Sequence, residues 1–123
     1  MASILVVDDQ AGIRLLLKEI FERQGIPVIL AADGREALNV VRDHPDEVGL
    51  ILLDMKLPRM SGLDVLRTLR AEGFKTPVLI MTAYGEIDQI YEARRLGVDT
   101  YLSKPFDVSE LTAEVAKRLN SAG

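Results

Sequence analysis

The chain contains no cysteine, so it can form neither a disulfide nor a thiolate metal site. Its one histidine, His44, precedes Pro45 at an expected helix end and reads as a solvated side chain. With no thiolate and no useful imidazole, zinc is disfavoured. No apolar run approaches the ~20 residues of a membrane span. Acids and bases are interspersed without a basic stripe and the net charge is −4, so no nucleic-acid surface is expected. The first strand signal begins at Ile4, leaving no room for a signal peptide. The expected setting is the cytoplasm, with no membrane partner. Internal repeats, low-complexity tracts and linkers are also lacking.

What remains is an ordinary apolar fraction, 48%, in 123 residues. That suits one domain able to bury roughly two-thirds of its unfolded surface. Strand and helix patterns alternate. Ile4–Val7, Pro27–Ala31, Leu50–Leu53, Pro77–Thr82 and a short run before Lys104 read as strands. Helical spacing places Ile13, Leu16, Leu17, Ile20 and Phe21 on one face between Gly12 and Arg23, a segment ended by Gly25. A second helix starts at Arg35 after an Asp33-Gly34 turn, with Ala37, Leu38 and Val41 inward, and stops before Pro45. Pro58 and Gly62 mark a loop, and a third helix from Leu63 buries Val65, Leu66 and Leu69 before Gly73. Glu86–Leu96 is weakly amphipathic through Ile87, Ile90, Tyr91 and Ala93. A last helix from Ser109 buries Leu111, Val115 and Leu119; Ser109 with Thr112 is a weak capping signal.

Five strand–helix units predict an α/β fold with a parallel sheet. The first, third and fourth strands are nearly all apolar, as strands covered on both faces are. The flavodoxin-like order 2-1-3-4-5 places the reversal of winding between strands one and three, where ligands bind outside the carboxyl ends.

Four strands end on usable polar groups: Asp8-Asp9, Asp54, Thr82 and Lys104. Each has an ordinary reading. Asp8-Asp9 could cap the first helix, Thr82 could be a strand-end residue, Lys104 could be solvated. Asp54 resists this, because four large apolar residues precede it and a buried lone carboxylate is costly. Together the residues suit a hard cation and a phosphoryl group. Three nearby carboxylates repel one another, and Mg²⁺ (or Mn²⁺) with oxygen ligands removes that cost. Asp9 and Asp54 would hold the ion, with Asp8 direct or through water. A free oxygen of Asp54 could then attack phosphorus and form an aspartyl phosphate. Lys104 could pair with phosphoryl oxygens and Thr82 could hydrogen-bond another.

Taken together these residues resemble the receiver domains of two-component response regulators, over essentially the whole chain. The resemblance implies that Asp54 is the phosphoacceptor and that the backbone carbonyl of Met55 completes the metal shell. It also implies a cis Lys104–Pro105 bond, and a switch pair made of Thr82 and Tyr101. The segments Asp8-Asp9-Gln10, Gly12-Ile13-Arg14, Leu53-Asp54-Met55-Lys56, Met81 to Glu86 and Lys104 to Asp107 are similar to single-domain receivers that relay phosphoryl groups in sporulation. That likeness implies a sensor histidine kinase as donor and a histidine phosphotransferase with a four-helix-bundle dimer as acceptor, with a phosphatase as a further partner. Since the five units consume the chain, no effector domain is expected. Gln10, Gly12, Ile13 and Leu16 on one side, Lys56 beside Asp54, and Tyr84, Ile87, Ile90, Pro105 and Phe106 on the other form an expected docking rim. Periodicity leaves Leu16 open between rim and core. Lys56 and Tyr84, each two residues past a site residue, are long enough to obstruct an attacking water. Rival readings are a chemotaxis-type binding module, a Mg²⁺-dependent phosphatase and a flavin-binding domain. The phosphatase would need an acid where Lys56 stands. The flavin domain would need a hydroxyl- and glycine-rich loop where Asp8 to Gly12 stands.

Overall fold

The computed structural model describes residues 2–82, 87–98 and 100–122, apart from the side chains of residues 87–88 and 120–122. Strands and helices alternate: β1 Ser3–Val7, α1 Ala11–Arg23, β2 Val28–Ala31, α2 Gly34–Asp43, β3 Val48–Asp54, α3 Gly62–Ala71, β4 Val78–Thr82, α4 Ile87–Arg95, β5 Tyr101–Ser103 and α5 Val108–Ala122. The strands form one parallel sheet of order β2-β1-β3-β4-β5. This is the flavodoxin-like arrangement, with winding reversed between β1 and β3.

The pleat sorts each apolar run onto two faces, because successive side chains point to opposite sides of a sheet. Leu5, Val7, Ile51, Leu53 and Ile80 face α2, α3 and α4, meeting Ala37, Leu38, Val41, Val65, Leu66, Leu69 and Ala93. Ile4, Val6, Leu50, Leu52, Leu79 and Met81 face α1 and α5, meeting Leu17, Phe21, Leu111 and Val115. Both faces are covered, so β1, β3 and β4 carry almost no polar residue until their carboxyl ends.

Several boundaries differ from the sequence expectation. The α1 core face is built from Leu17 and Phe21 with Ile13 and Ile20 beside them; Leu16 is 44% exposed and points outward. Tyr91 is likewise exposed, leaving Ala93 as the buried side chain among the described residues of α4. Gly62 begins α3 rather than lying in the loop. Its cap is a reciprocal pair: Asp64 N–H donates to Ser61 Oγ and Ser61 N–H to the Asp64 carboxylate. In α5 the first turn is closed by Asp107, whose carboxylate accepts from Glu110 N–H at 3.1 Å, while the Ser109 carbonyl accepts from the Thr112 hydroxyl. That helix also continues to Ala122, past Leu119, the last residue of the expected buried face. The expected start of α4 at Glu86 lies outside the described residues.

Candidate functional site

At the carboxyl edge of the sheet, backbone pairing sets the site before any side chain acts. Met55 N–H donates to the Met81 carbonyl at 3.2 Å, and Lys104 N–H donates to the Thr82 carbonyl at 2.7 Å. Thr82 itself is paired in register with Ser103. The ends of β3, β4 and β5 are thereby tied together, and β1 adjoins β3. The four expected polar positions share one edge for this reason.

Lys104 stands at the centre. Its Nζ donates to Asp8 Oδ2 at 2.7 Å and to Asp54 Oδ2 at 3.0 Å. The remaining carboxylate oxygens are held by backbone. Gln10 N–H donates to Asp8 Oδ1 at 2.9 Å, and Lys56 N–H to Asp54 Oδ1 at 3.1 Å. Asp8 is fully buried and Asp54 is 5% exposed, whereas Asp9 is open to solvent. One carboxylate oxygen from each of Asp8, Asp9 and Asp54 fits within a mutual 4.8 Å.

Three acids face one ammonium, so negative charge is left unmatched. Burial pushes the Asp54 carboxyl above its usual range; the hydrogen bonds from Lys56 N–H and Lys104 and the Lys104 charge oppose this without cancelling it, and Asp8 adds repulsion. For Lys104 burial acts to lower the pKa, but the hydrogen bonds to Asp8 and Asp54 and their charges outweigh it, so the ammonium is held above its usual range. An all-oxygen donor set with surplus negative charge fits a hard divalent cation.

The other expected residues are distributed as follows. Thr82 is buried at the end of β4, and the Lys104–Pro105 bond is cis. The Met55 carbonyl accepts from Gly62 N–H at 3.0 Å, which leaves it one lone pair for any ligand. Tyr101 is 43% exposed on β5. Gln10, Ile13, Leu16, Lys104, Pro105, Phe106 and Val108 line one groove of about 510 Å³. Gly12 is exposed on the first turn of α1, Lys56 is exposed, and Ile90 is half-buried on α4. Tyr84 and the side chain of Ile87 lie outside the described residues.

Sequence reasoning missed Arg14. Its Nη1 donates to the Asp8 carbonyl at 2.7 Å, pinning the turn between β1 and α1 beneath the acids. A cation six residues after a strand-end acid was the available signal. Gly62 was named but its reason was not: a Cβ there would collide with the Asp54 carbonyl oxygen and lie 2.8 Å from Met55 Cα. Only glycine allows α3 to start this close to the site.

Residues 4–116 match the response regulator receiver domain. The chain belongs to that family. As a receiver domain it is 46% identical over 118 residues to "Sporulation initiation phosphotransferase F" of Bacillus subtilis (strain 168), covering 95% of this chain and 93% of the relative. It is 43% identical over 116 residues to the transcriptional regulatory protein CpxR of Escherichia coli (strain K12), covering 94% of this chain but 48% of CpxR. A response regulator receiver domain protein from Clostridium thermocellum shares the receiver's fold with a TM-score of 0.90 at 30% identity, over 98% of this chain and 96% of that one. No helix among the described residues of the receiver is long and apolar enough to cross a membrane.

Proposed function

We propose that this receiver is a phosphoryl carrier in a histidine–aspartate relay, working in the cytoplasm. The observation that carries the reading is its likeness, over 93% of that relative's length, to a protein named as a sporulation phosphotransferase. Regulators such as CpxR extend well past the matched segment. Control of sporulation is the corresponding role.

In the proposed reaction Asp54 attacks phosphorus of a phosphohistidine on a sensor kinase. A P–O bond forms, the P–N bond breaks, and its electron pair remains on the imidazole nitrogen. The group then passes to a second histidine on a phosphotransferase by the reverse exchange, and a phosphatase competes for it. Lys104 already contacts Asp54 Oδ2, so a phosphoryl group on that residue finds an ammonium beside its oxygens. The buried Thr82 stands at the end of β4, where its hydroxyl would take a phosphoryl oxygen and Tyr101 would follow the shift. Asp8, Asp9 and Asp54 would hold Mg²⁺ or Mn²⁺, with the lone pair that Gly62 N–H leaves free on the Met55 carbonyl as a further ligand. When bound, the ion neutralises charge between carboxylate and phosphoryl oxygens. The groove of Gln10, Ile13, Leu16, Pro105 and Phe106 would seat a helix of the kinase or of the phosphotransferase's four-helix bundle.

Incubation with acetyl phosphate and Mg²⁺ should add the mass of one phosphoryl group, removable by hydroxylamine and absent from Asp54→Ala. Equal labelling of that variant refutes the site. Rapid transfer from the phosphoprotein to a histidine phosphotransferase supports the carrier. A second reading, a phosphorylation-controlled binding module, is favoured by the exposure of Tyr101 and by likeness to the chemotaxis protein CheY4 of Vibrio cholerae at a TM-score of 0.86 and 30% identity. Failure of transfer with intact labelling would select it.

A further inference from the structure

We propose that the cleft between α2 and α3 docks an acidic peptide segment of a partner protein, apart from the phosphoryl site. The cleft is about 530 Å³ and is walled by α2, α3 and the loop that joins β3 to α3. Its floor is aliphatic and thioether, from buried Leu38, half-buried Met60 and exposed Pro58. Three guanidinium groups ring that floor, from Arg35, Arg42 and Arg59. Arg42 is committed, because its Nε and Nη2 grip the two carboxylate oxygens of Glu72. Arg35 and Arg59 make no hydrogen bond or ion pair among the described residues. Two unmatched cations on one rim stand out in a chain whose net charge is −4.

Arg59 supplies an independent observation. Its φ is 68°, in the left-handed region, where a residue with a Cβ costs about 1 kcal/mol relative to glycine. The domain itself holds the turn, because Met60 N–H donates to the Pro58 carbonyl at 2.7 Å and Leu57 and Met60 on either side pack against the core. Glycine would make the same turn without strain. The turn thus fixes the backbone from which the exposed Arg59 guanidinium, unpartnered among the described residues, is presented on the cleft rim.

The lining selects the class of ligand. It contains no aromatic ring on which a nucleobase could stack. Asp33 also stands on the rim, its carboxylate already accepting from Glu36 N–H, and it repels a dianionic phosphate more than a single carboxylate. Arginine forks take carboxylates in two parallel hydrogen bonds, and methionine adapts to irregular apolar side chains. The matching segment has acidic residues flanking a leucine-like one, the charge complement of this rim.

The test is an NMR titration of the unphosphorylated, ¹⁵N-labelled protein with a short blocked peptide in which glutamates flank leucine. It therefore stands or falls separately from the relay. Amide shifts should cluster at Arg35, Asn39, Arg59 and Met60. Arg35→Ala combined with Arg59→Gly should weaken binding at least about tenfold, or about 1.4 kcal/mol. Lys75→Ala, which removes an exposed cation from the loop between α3 and β4, should not. Arg59→Gly should keep or raise the urea midpoint, so lost binding is not lost folding. The proposal is overturned if shifts scatter over the surface, if Lys75→Ala weakens binding equally, or if the glutamine version of the peptide binds as well. It is also overturned if inorganic phosphate produces the same shifts at lower concentration.

Discussion

Replacing Lys104 by methionine keeps most of the unbranched apolar stem and removes the charge that holds Asp8 and Asp54 together. The two carboxylates accept from this one ammonium at 2.7 and 3.0 Å, with side-chain exposures of 0% and 8%. Breaking a buried pair by deleting one partner costs about 3–5 kcal/mol, because a desolvated charge is left behind. Here Lys104 keeps 20% of its side-chain surface, and Asp9 opens the site to water, so the lower end applies: about 3 kcal/mol at neutral pH. With a urea m-value near 1.5 kcal/mol per M, the midpoint followed by circular dichroism should fall by about 2 M. Mg²⁺ should restore part of the loss, since it supplies positive charge at the same carboxylates. The pH dependence has a definite sign. The folded pKa of Lys104 is raised above 10.5, so its contribution is complete below that value and fades as pH climbs through the folded pKa. At the acid end the gap between wild type and variant should narrow, because protonated carboxylates no longer need the ammonium. A midpoint shift below about 0.5 M at pH 7, or a gap that persists unchanged in acid, would refute this account of the site.

Asp54→Asn should have the opposite effect, stabilising the fold by about 1 kcal/mol at pH 7, as removal of a functional but unfavourable group commonly does. The carboxyl pKa is raised in the folded state, so wild-type stability drops as pH rises from 3.8 through the folded value. The gain should therefore be absent below that window and complete above it in pH-dependent urea melts. Gly62→Ala should cost about 3 kcal/mol and slow phosphorylation by acetyl phosphate, because the added methyl displaces the Asp54 carbonyl and Met55. Wild-type melting would show that α3 can retreat without strain. Lys56→Asn should shorten the half-life of isolated phosphoprotein, as the shorter side chain admits water beside Asp54. An unchanged half-life measured by phosphate release would refute the shielding role.

Much of the fold was legible because its strands are covered on both faces. Residues such as Ile4–Val7 and Leu50–Leu53 then read as unbroken apolar runs, and the first polar residue after each run marks a strand end. Helix faces were legible at Leu17, Phe21, Val65 and Leu69, where periodicity and burial agree. Leu16 was not: it sits within a residue's rotation of the core face, and its neighbours on the sheet decide which way it points. The cap of α5 was misread because both Asp107 and Ser109 are capping residues, and the helix began one residue earlier than the apolar pattern suggested. The strain at Arg59 has no sequence signature, since arginine is not a residue that announces a left-handed turn.

By itself, then, the order of residues determined which chemical groups end each strand, because local propensity and apolar pattern act over a few positions. The tertiary fold decided that these groups meet. Lys104 reaches Asp8 across 96 positions and Asp54 across 50, and those contacts exist because parallel pairing brings every strand's carboxyl end to the same edge. The fold also set how deeply each carboxylate is buried. Burial in turn sets the charge balance, a property of the surrounding atoms that no single residue type carries with it.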